Sequence, residues 1–281
     1  MANPSLYLPA AFSVSAVGAW GSSDFLGGLG VRRVNTFLFT LVVHLSGMTL
    51  AAAVALGMGL PFPARQGLGW ALAAGAMGGV SLALFYRALA SGKMGLIAPV
   101  SAVVGAAIPT IVTALREGFP GWRHFTGFIL AGIGVWLISR TEENDSRPEG
   151  LGLALVAGCG FAGFYLCMHQ AGNGSALWLA VCSRSASLLV TLAIVILGGL
   201  LRAVPRPLAG LAVVAGTLDI TGSATFVYAS QIGRLDSAVV LTSLYPAVTV
   251  LLARVFLHEH FSRARTVGML AALAAVPMIA G

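Results

Sequence analysis

The chain has 281 residues, 58% of them hydrophobic and only 9% charged, with a mean hydropathy of +0.92 and a formal charge of +7. A soluble domain carries about a quarter charged residues. The 16 basic and 9 acidic side chains here are too few to cover an aqueous surface, which excludes a cytosolic globular enzyme, a nucleic-acid module and a disordered chain. The composition calls for lipid as solvent, so the chain reads as a polytopic protein of the bilayer.

A spanning helix takes about 20 mainly apolar residues. That ruler places ten spans, at 8–30, 36–58, 67–91, 94–115, 124–139, 150–170, 176–200, 208–231, 235–257 and 264–281. The breaks between them carry turn or charge signals: Arg32-Arg33, Pro61-Phe62-Pro63, Gly92-Lys93, Arg116-Glu117-Gly118 and Pro205-Arg206-Pro207. MANPSLYLP at the start has no positive region ahead of its apolar run, so no cleaved leader is expected. Cys159, Cys167 and Cys182 lie inside apolar runs without metal spacing and read as packing residues.

Residues 141–150, TEENDSRPEG, hold four of the nine acidic residues and divide the chain into two halves, 1–140 and 151–281. Shifting the second half back by 141 residues aligns spans three to five with spans eight to ten without a gap. Phe85 then meets Phe226, Gly92 meets Gly233, Lys93 meets Arg234 and Gly127 meets Gly268. Five spans per half would place the second half upside down relative to the first. The expected fold class is therefore an all-α membrane protein of ten transmembrane helices, built as two inverted five-helix repeats around a central cavity.

The segment AWGSSDFLGGLGVRR (19–33) resembles the opening of the drug/metabolite transporter superfamily in its EamA-type ten-helix branch. LTSLYPAVTVLLARVFLHEHFS (241–262) is similar to the ninth-helix signature of that family, and APVSAVVGAAIPTIVTALREGFPG (98–121) matches it more loosely, with Gly105 where the second half has Pro246. The resemblance implies alternating access around a central cavity. It leaves the substrate open, since family members, including YddG-type amino-acid exporters, move amino acids, drugs, sugars or nucleotide sugars.

Nine basic residues fall in odd-numbered loops (Arg32, Arg33, Lys93, Arg140, Arg147, Arg202, Arg206, Arg263, Arg265) and four in even-numbered ones (Arg65, Arg116, Arg123, Arg234). The positive-inside rule puts the nine in the cytoplasm and both termini outside, in a bacterial-type inner membrane.

Ionisable groups within spans are costly and become candidates for function. Asp24, beside Trp20 and Ser23, reads as a cavity carboxylate for an amine or a proton, or as a buried acid bonded to serines or an arginine. Asp219, Ser223 and Phe226 share one face of span eight, where hydroxyls also serve as interhelical glue. Arg184 lies too deep to snorkel; Asp219 or Asp24 is its natural partner, either as a structural pair or beside a substrate carboxylate. His44 reads first as a packing histidine, with a proton relay as the alternative, and His169 as interfacial. Trp20, Phe85, Tyr86, Phe161, Phe164, Tyr165, Phe226, Tyr228 and Tyr245 recur at related positions of the halves. They suit ordinary packing or an aromatic-walled cavity.

The candidate substrate-binding set is Trp20, Ser23, Asp24, Tyr86, Phe161, Tyr165, Arg184, Asp219, Ser223, Phe226 and Tyr245. No nucleophile motif, phosphate loop, dinucleotide fingerprint or metal spacing occurs in the sequence, so neither catalysis nor a cofactor is expected. The expected function is secondary export of small amphiphilic metabolites, amino acids first, by a monomer in which one half rocks against the other. Protons are the candidate coupling ion. The alternative is proton-coupled extrusion of lipophilic cationic drugs.

Overall fold

The computed structural model describes residues 4–91, 94–139, 150–257 and 262–280, which form eleven helical segments. They are α1 (Pro4–Gly30), α2 (Thr36–Gly57), α3 (Arg65–Ser91), α4 (Met94–Glu117), α5 (Trp122–Ser139), α6 (Leu151–Gln170), α7 (Ala176–Leu197), α8 (Arg206–Ile232), α9 (Leu235–Thr242), α10 (Tyr245–Leu257) and α11 (Arg263–Ala280). The 141–149 stretch of the acidic linker and the Gly92-Lys93 turn lie outside the described residues.

Among the described residues, seven stretches are long and apolar enough to cross a bilayer: Thr36–Gly57, Arg65–Leu89, Val100–Glu117, Leu151–Gln170, Ala176–Leu197, Arg206–Ile232 and Leu235–Phe256. The other three expected spans form helices that fall short of that measure. Ser13, Ser15, Ser22, Ser23 and Asp24 dilute α1. Helices α5 and α11 have 18 residues each and open on polar turns, with Arg123 and His124 in one and Arg263 and Arg265 in the other. Leu56, Leu115 and Leu197 are exposed on the outside of the bundle, as lipid-facing side chains would be.

The ninth expected span, 235–257, is two helices. Pro246 has no N–H to return to Thr242, and its ring crowds that carbonyl. The ladder closes early instead, through Ser243 N to Val239 O and Leu244 N to Leu241 O, and restarts at Tyr245.

Helices α2 and α7 are matched in detail. Each has 22 residues, and they begin 140 residues apart. Asn35 caps the first by accepting from the Phe37 and Leu38 amides, and Ser175 caps the second by accepting from Trp178 N. Both end in a left-handed glycine, Gly59 at φ 62° and Gly199 at φ 61°. The following amides turn back to Ala55 O and Val195 O at 3.0 and 2.9 Å.

The two halves of the chain interleave. Helix α8 packs on α1 and α2, α3 packs on α6 and α7, α4 on α6, and α10 on α1, while α5 pairs with α11. One lobe is therefore α1, α2, α8 and α10, and the other is α3, α4, α6 and α7. Helices α2 and α7 meet at the seam, and α9 touches α4 on one side and α1 and α8 on the other. Missing side chains allow these approaches. A Cβ on Gly75 would overlap the Ser183 carbonyl, and one on Gly216 the Val43 carbonyl. The expected rocking of half against half has no corresponding surface, because each lobe draws helices from both halves.

Candidate functional site

Between the lobes lies a cavity of about 50 Å³, room for roughly three to five waters. Trp20 and Asp24 reach it from α1, Asp219 from α8 and Tyr245 from the start of α10. The other lobe supplies Gly78, Leu82 and Phe85 of α3, Phe161, Phe164 and Tyr165 of α6, and Arg184 of α7.

Arg184 and Asp219 pair across the lobes, Nη2 lying 2.7 Å from Oδ2. The approach is a close ion pair without a well-aligned hydrogen bond. The same Nη2 donates to Ser223 Oγ at 2.6 Å, and that hydroxyl donates to the Asp219 carbonyl at 3.0 Å. Nη1 lies 3.5 Å from Nδ1 of the fully buried His44. With the guanidinium engaged on three sides, the pair holds the seam together in the way a buried charge requires.

Asp24 differs. Its residue is only 8% exposed, and among the described residues no hydrogen bond or ion pair reaches its carboxyl group. Asp219 and the hydroxyls of Tyr86, Tyr165 and Tyr245 lie within electrostatic range. The cavity thus holds two acids against one guanidinium. A buried carboxylate without a partner is costly.

Aromatic rings close the cavity around this acid. Tyr165 and Phe226 stand 4.8 Å apart, Trp20 and Phe226 5.7 Å, and Phe85 meets Phe161 edge-on at 5.7 Å. The Trp20 indole donates to the Asp219 carbonyl at 3.2 Å. Gly222 permits this, since a Cβ there would come within 2.6 Å of the Trp20 ring.

Seven of the eleven sequence candidates line the cavity: Trp20, Asp24, Phe161, Tyr165, Arg184, Asp219 and Tyr245. The other four sit behind it. Ser23 donates to the Ala215 carbonyl at 2.9 Å and ties α1 to α8. Ser223 braces Arg184, Phe226 backs Trp20 and Tyr165, and Tyr86 packs over Gly27. Tyr228 pairs with Phe12 away from the cavity. Phe85 and Phe164 stand out in the sequence only as aromatics, and Gly78 and Leu82 not at all. The 141-residue register could have found these last two, since it sets them opposite Asp219 and Ser223. Among the described residues no group of three or more His, Cys, Asp or Glu side chains could hold a metal ion.

Membrane-length helices around a buried polar and aromatic cavity define a multi-pass integral membrane protein. Residues 148–281 match the EamA-like transporter family. This match covers the second half of the chain and supports a place in the drug/metabolite transporter superfamily. A solved crystal structure of a protein with 16% identity shares the fold at a TM-score of 0.77, over 96% of this chain and 97% of its own. None of the curated proteins compared with the chain matches it in sequence.

Proposed function

We propose that this protein is a secondary transporter that exports small amphiphilic metabolites bearing an amine, amino acids first, across a bacterial inner membrane. The observation that carries this reading is Asp24, an unpaired and nearly buried carboxyl group in an aromatic-walled cavity at the seam of two lobes. The ammonium group or a proton neutralises Asp24, and the side chain lies against Trp20, Phe85, Phe161 and Tyr165. A substrate carboxylate reaches Arg184 only by competing with Asp219.

Ten spans in two inverted repeats, 1–140 and 151–281 with the 141–150 linker between them, are the architecture this mechanism uses. The shared length, caps and left-handed ends of α2 and α7 support the repeat. So does the packing pattern, because exchanging first-half helices for their second-half counterparts returns the same neighbours: α1 with α8 becomes α6 with α3, and α3 with α7 becomes α8 with α2. The two lobes, each mixed from both halves, are the bodies that alternate. At about 50 Å³ the cavity is contracted, and loading an amino acid requires the lobes to part.

One observation favours extrusion of lipophilic cations instead: Arg184 is already occupied by Asp219, so a ligand with positive charge alone fits without displacing it. Proteoliposomes separate the two readings. Export of labelled amino acids that Asp24→Asn reduces at least tenfold supports the first. Absence of amino-acid flux, with cation–proton antiport abolished by Asp24→Asn, contradicts it. Should Asp24→Asn alter neither flux nor its pH dependence, the carboxyl group has no transport role.

A further inference from the structure

At the ends of α4, α6 and α8 and the start of α9, a second charged cluster crosses the seam. Arg234, in the α8–α9 turn, places Nη1 3.6 Å from Glu117 Oε2 at the end of α4. Its Nη2 donates to the Gly118 carbonyl at 3.3 Å, where the α4 carbonyls gather negative charge. Asp236, fully buried, fixes the guanidinium from its own side through Nη2 at 2.9 Å. His169, at the end of α6, has Nε2 4.0 Å from Glu117 Oε1.

The cluster stands over the cavity. His169 is one turn beyond Tyr165 on α6, and α9 runs from Arg234 down to Thr242, which lies beside the Tyr165 hydroxyl. Neutral contacts cross the seam at the same end. Gln231 donates to the Gly172 and Gly174 carbonyls at 2.8 and 3.0 Å, and the Trp178 indole donates to Leu60 O at 2.9 Å.

We infer that Glu117 and Arg234, braced by Asp236 and His169, form an ion-pair latch that holds this mouth of the cavity closed. The latch is partly exposed, and a pair of that kind is weak enough to open within a transport cycle. Asp236 keeps Arg234 in place when the latch opens, so the guanidinium is ready to close on Glu117 again. The alternating-access reading supplies the need for such a contact.

The test is the alkylation rate of a buried reporter beneath the latch. Thr242→Cys is introduced into a chain whose Cys159, Cys167 and Cys182 are replaced by alanine, held in nanodiscs, and treated with a charged maleimide. Glu117→Gln is expected to raise the rate about two- to five-fold, and to have no further effect once Arg234→Gln is present. Raising salt to ~0.5 M should speed labelling of the reporter chain with the pair intact and leave the Glu117→Gln chain unchanged. An unaltered rate in Glu117→Gln, or effects of the two substitutions that multiply, would overturn the latch. The salt comparison in the intact pair stands even if a substituted chain fails to fold. Labelling needs no substrate, so a failed flux screen and a failed latch are separate results.

Discussion

The two halves of this protein share packing and differ in chemistry. Gly75 and Gly216, 141 residues apart, each let a neighbouring backbone carbonyl approach, that of Ser183 in one case and Val43 in the other. Asn35 and Ser175 cap helices of identical length. Where the second half has Arg184 on α7, the first has His44 on α2, and the two side chains face each other at 3.5 Å. Where the second half has Asp219 on α8, the first has Gly78 on α3. The ion pair thus has no counterpart at these first-half positions. Asp24, the one carboxyl group in the cavity without a cation, comes from the first half.

The largest break in this comparison is expected at the ion pair. Arg184→Ala leaves Asp219 buried and uncompensated and should cost about 3–5 kcal/mol, read from SDS-induced unfolding. The corresponding first-half change, His44→Ala, should cost no more than about 2 kcal/mol, since it removes one long contact and an already unpartnered Nε2. Equal losses at the two positions would show that the asymmetry carries no energy. Next come the glycines. Gly75→Ala and Gly216→Ala each push against backbone and should lose about 1–3 kcal/mol, with the two values alike. A large effect at only one would sharpen the comparison by locating the tighter seam.

Smaller still, Asn35→Ala and Ser175→Ala should each cost about 1 kcal/mol. Hydrogen exchange confined to the first turns of α2 and α7 would report the same loss. The smallest stability change belongs to Asp24→Asn. Removing a carboxyl group with no cation partner, beside Asp219, should leave stability unchanged or slightly higher. A loss above ~2 kcal/mol would mean that Asp24 holds a structural bond after all.

Much of this architecture is legible in the sequence because lipid demands it. Unbroken apolar runs and the turn signals between them mark the helices. The break between α9 and α10 is hidden because the hydropathy of 235–257 is continuous, and the missing Pro246 amide does not register in hydropathy. The exchange of helices between lobes is also invisible along the chain, since packing partners such as α3 and α7 are set by glycine contacts across long separations. Of the site, the charges Asp24, Arg184 and Asp219 stand out because charge is expensive in a membrane. Their pairing does not stand out. Asp24 and Asp219 were equivalent candidates for Arg184, and only the geometry, 2.7 Å to one and no bond to the other, separates them. His44 read as a packing histidine because nothing near it in sequence identifies Arg184 as its neighbour. Gly78 and Leu82 carry no chemical signature at all.

The central claim is that Asp24, and not Asp219, is the carboxyl group open to a proton or a cation. Reaction with a hydrophobic carbodiimide, followed by peptide mapping in a mass spectrometer, tests it directly, because that reagent modifies protonated carboxyl groups in apolar surroundings. One adduct within the spans is expected, on Asp24, and it should vanish in Asp24→Asn. An adduct on Asp219 with Asp24 untouched would contradict the account.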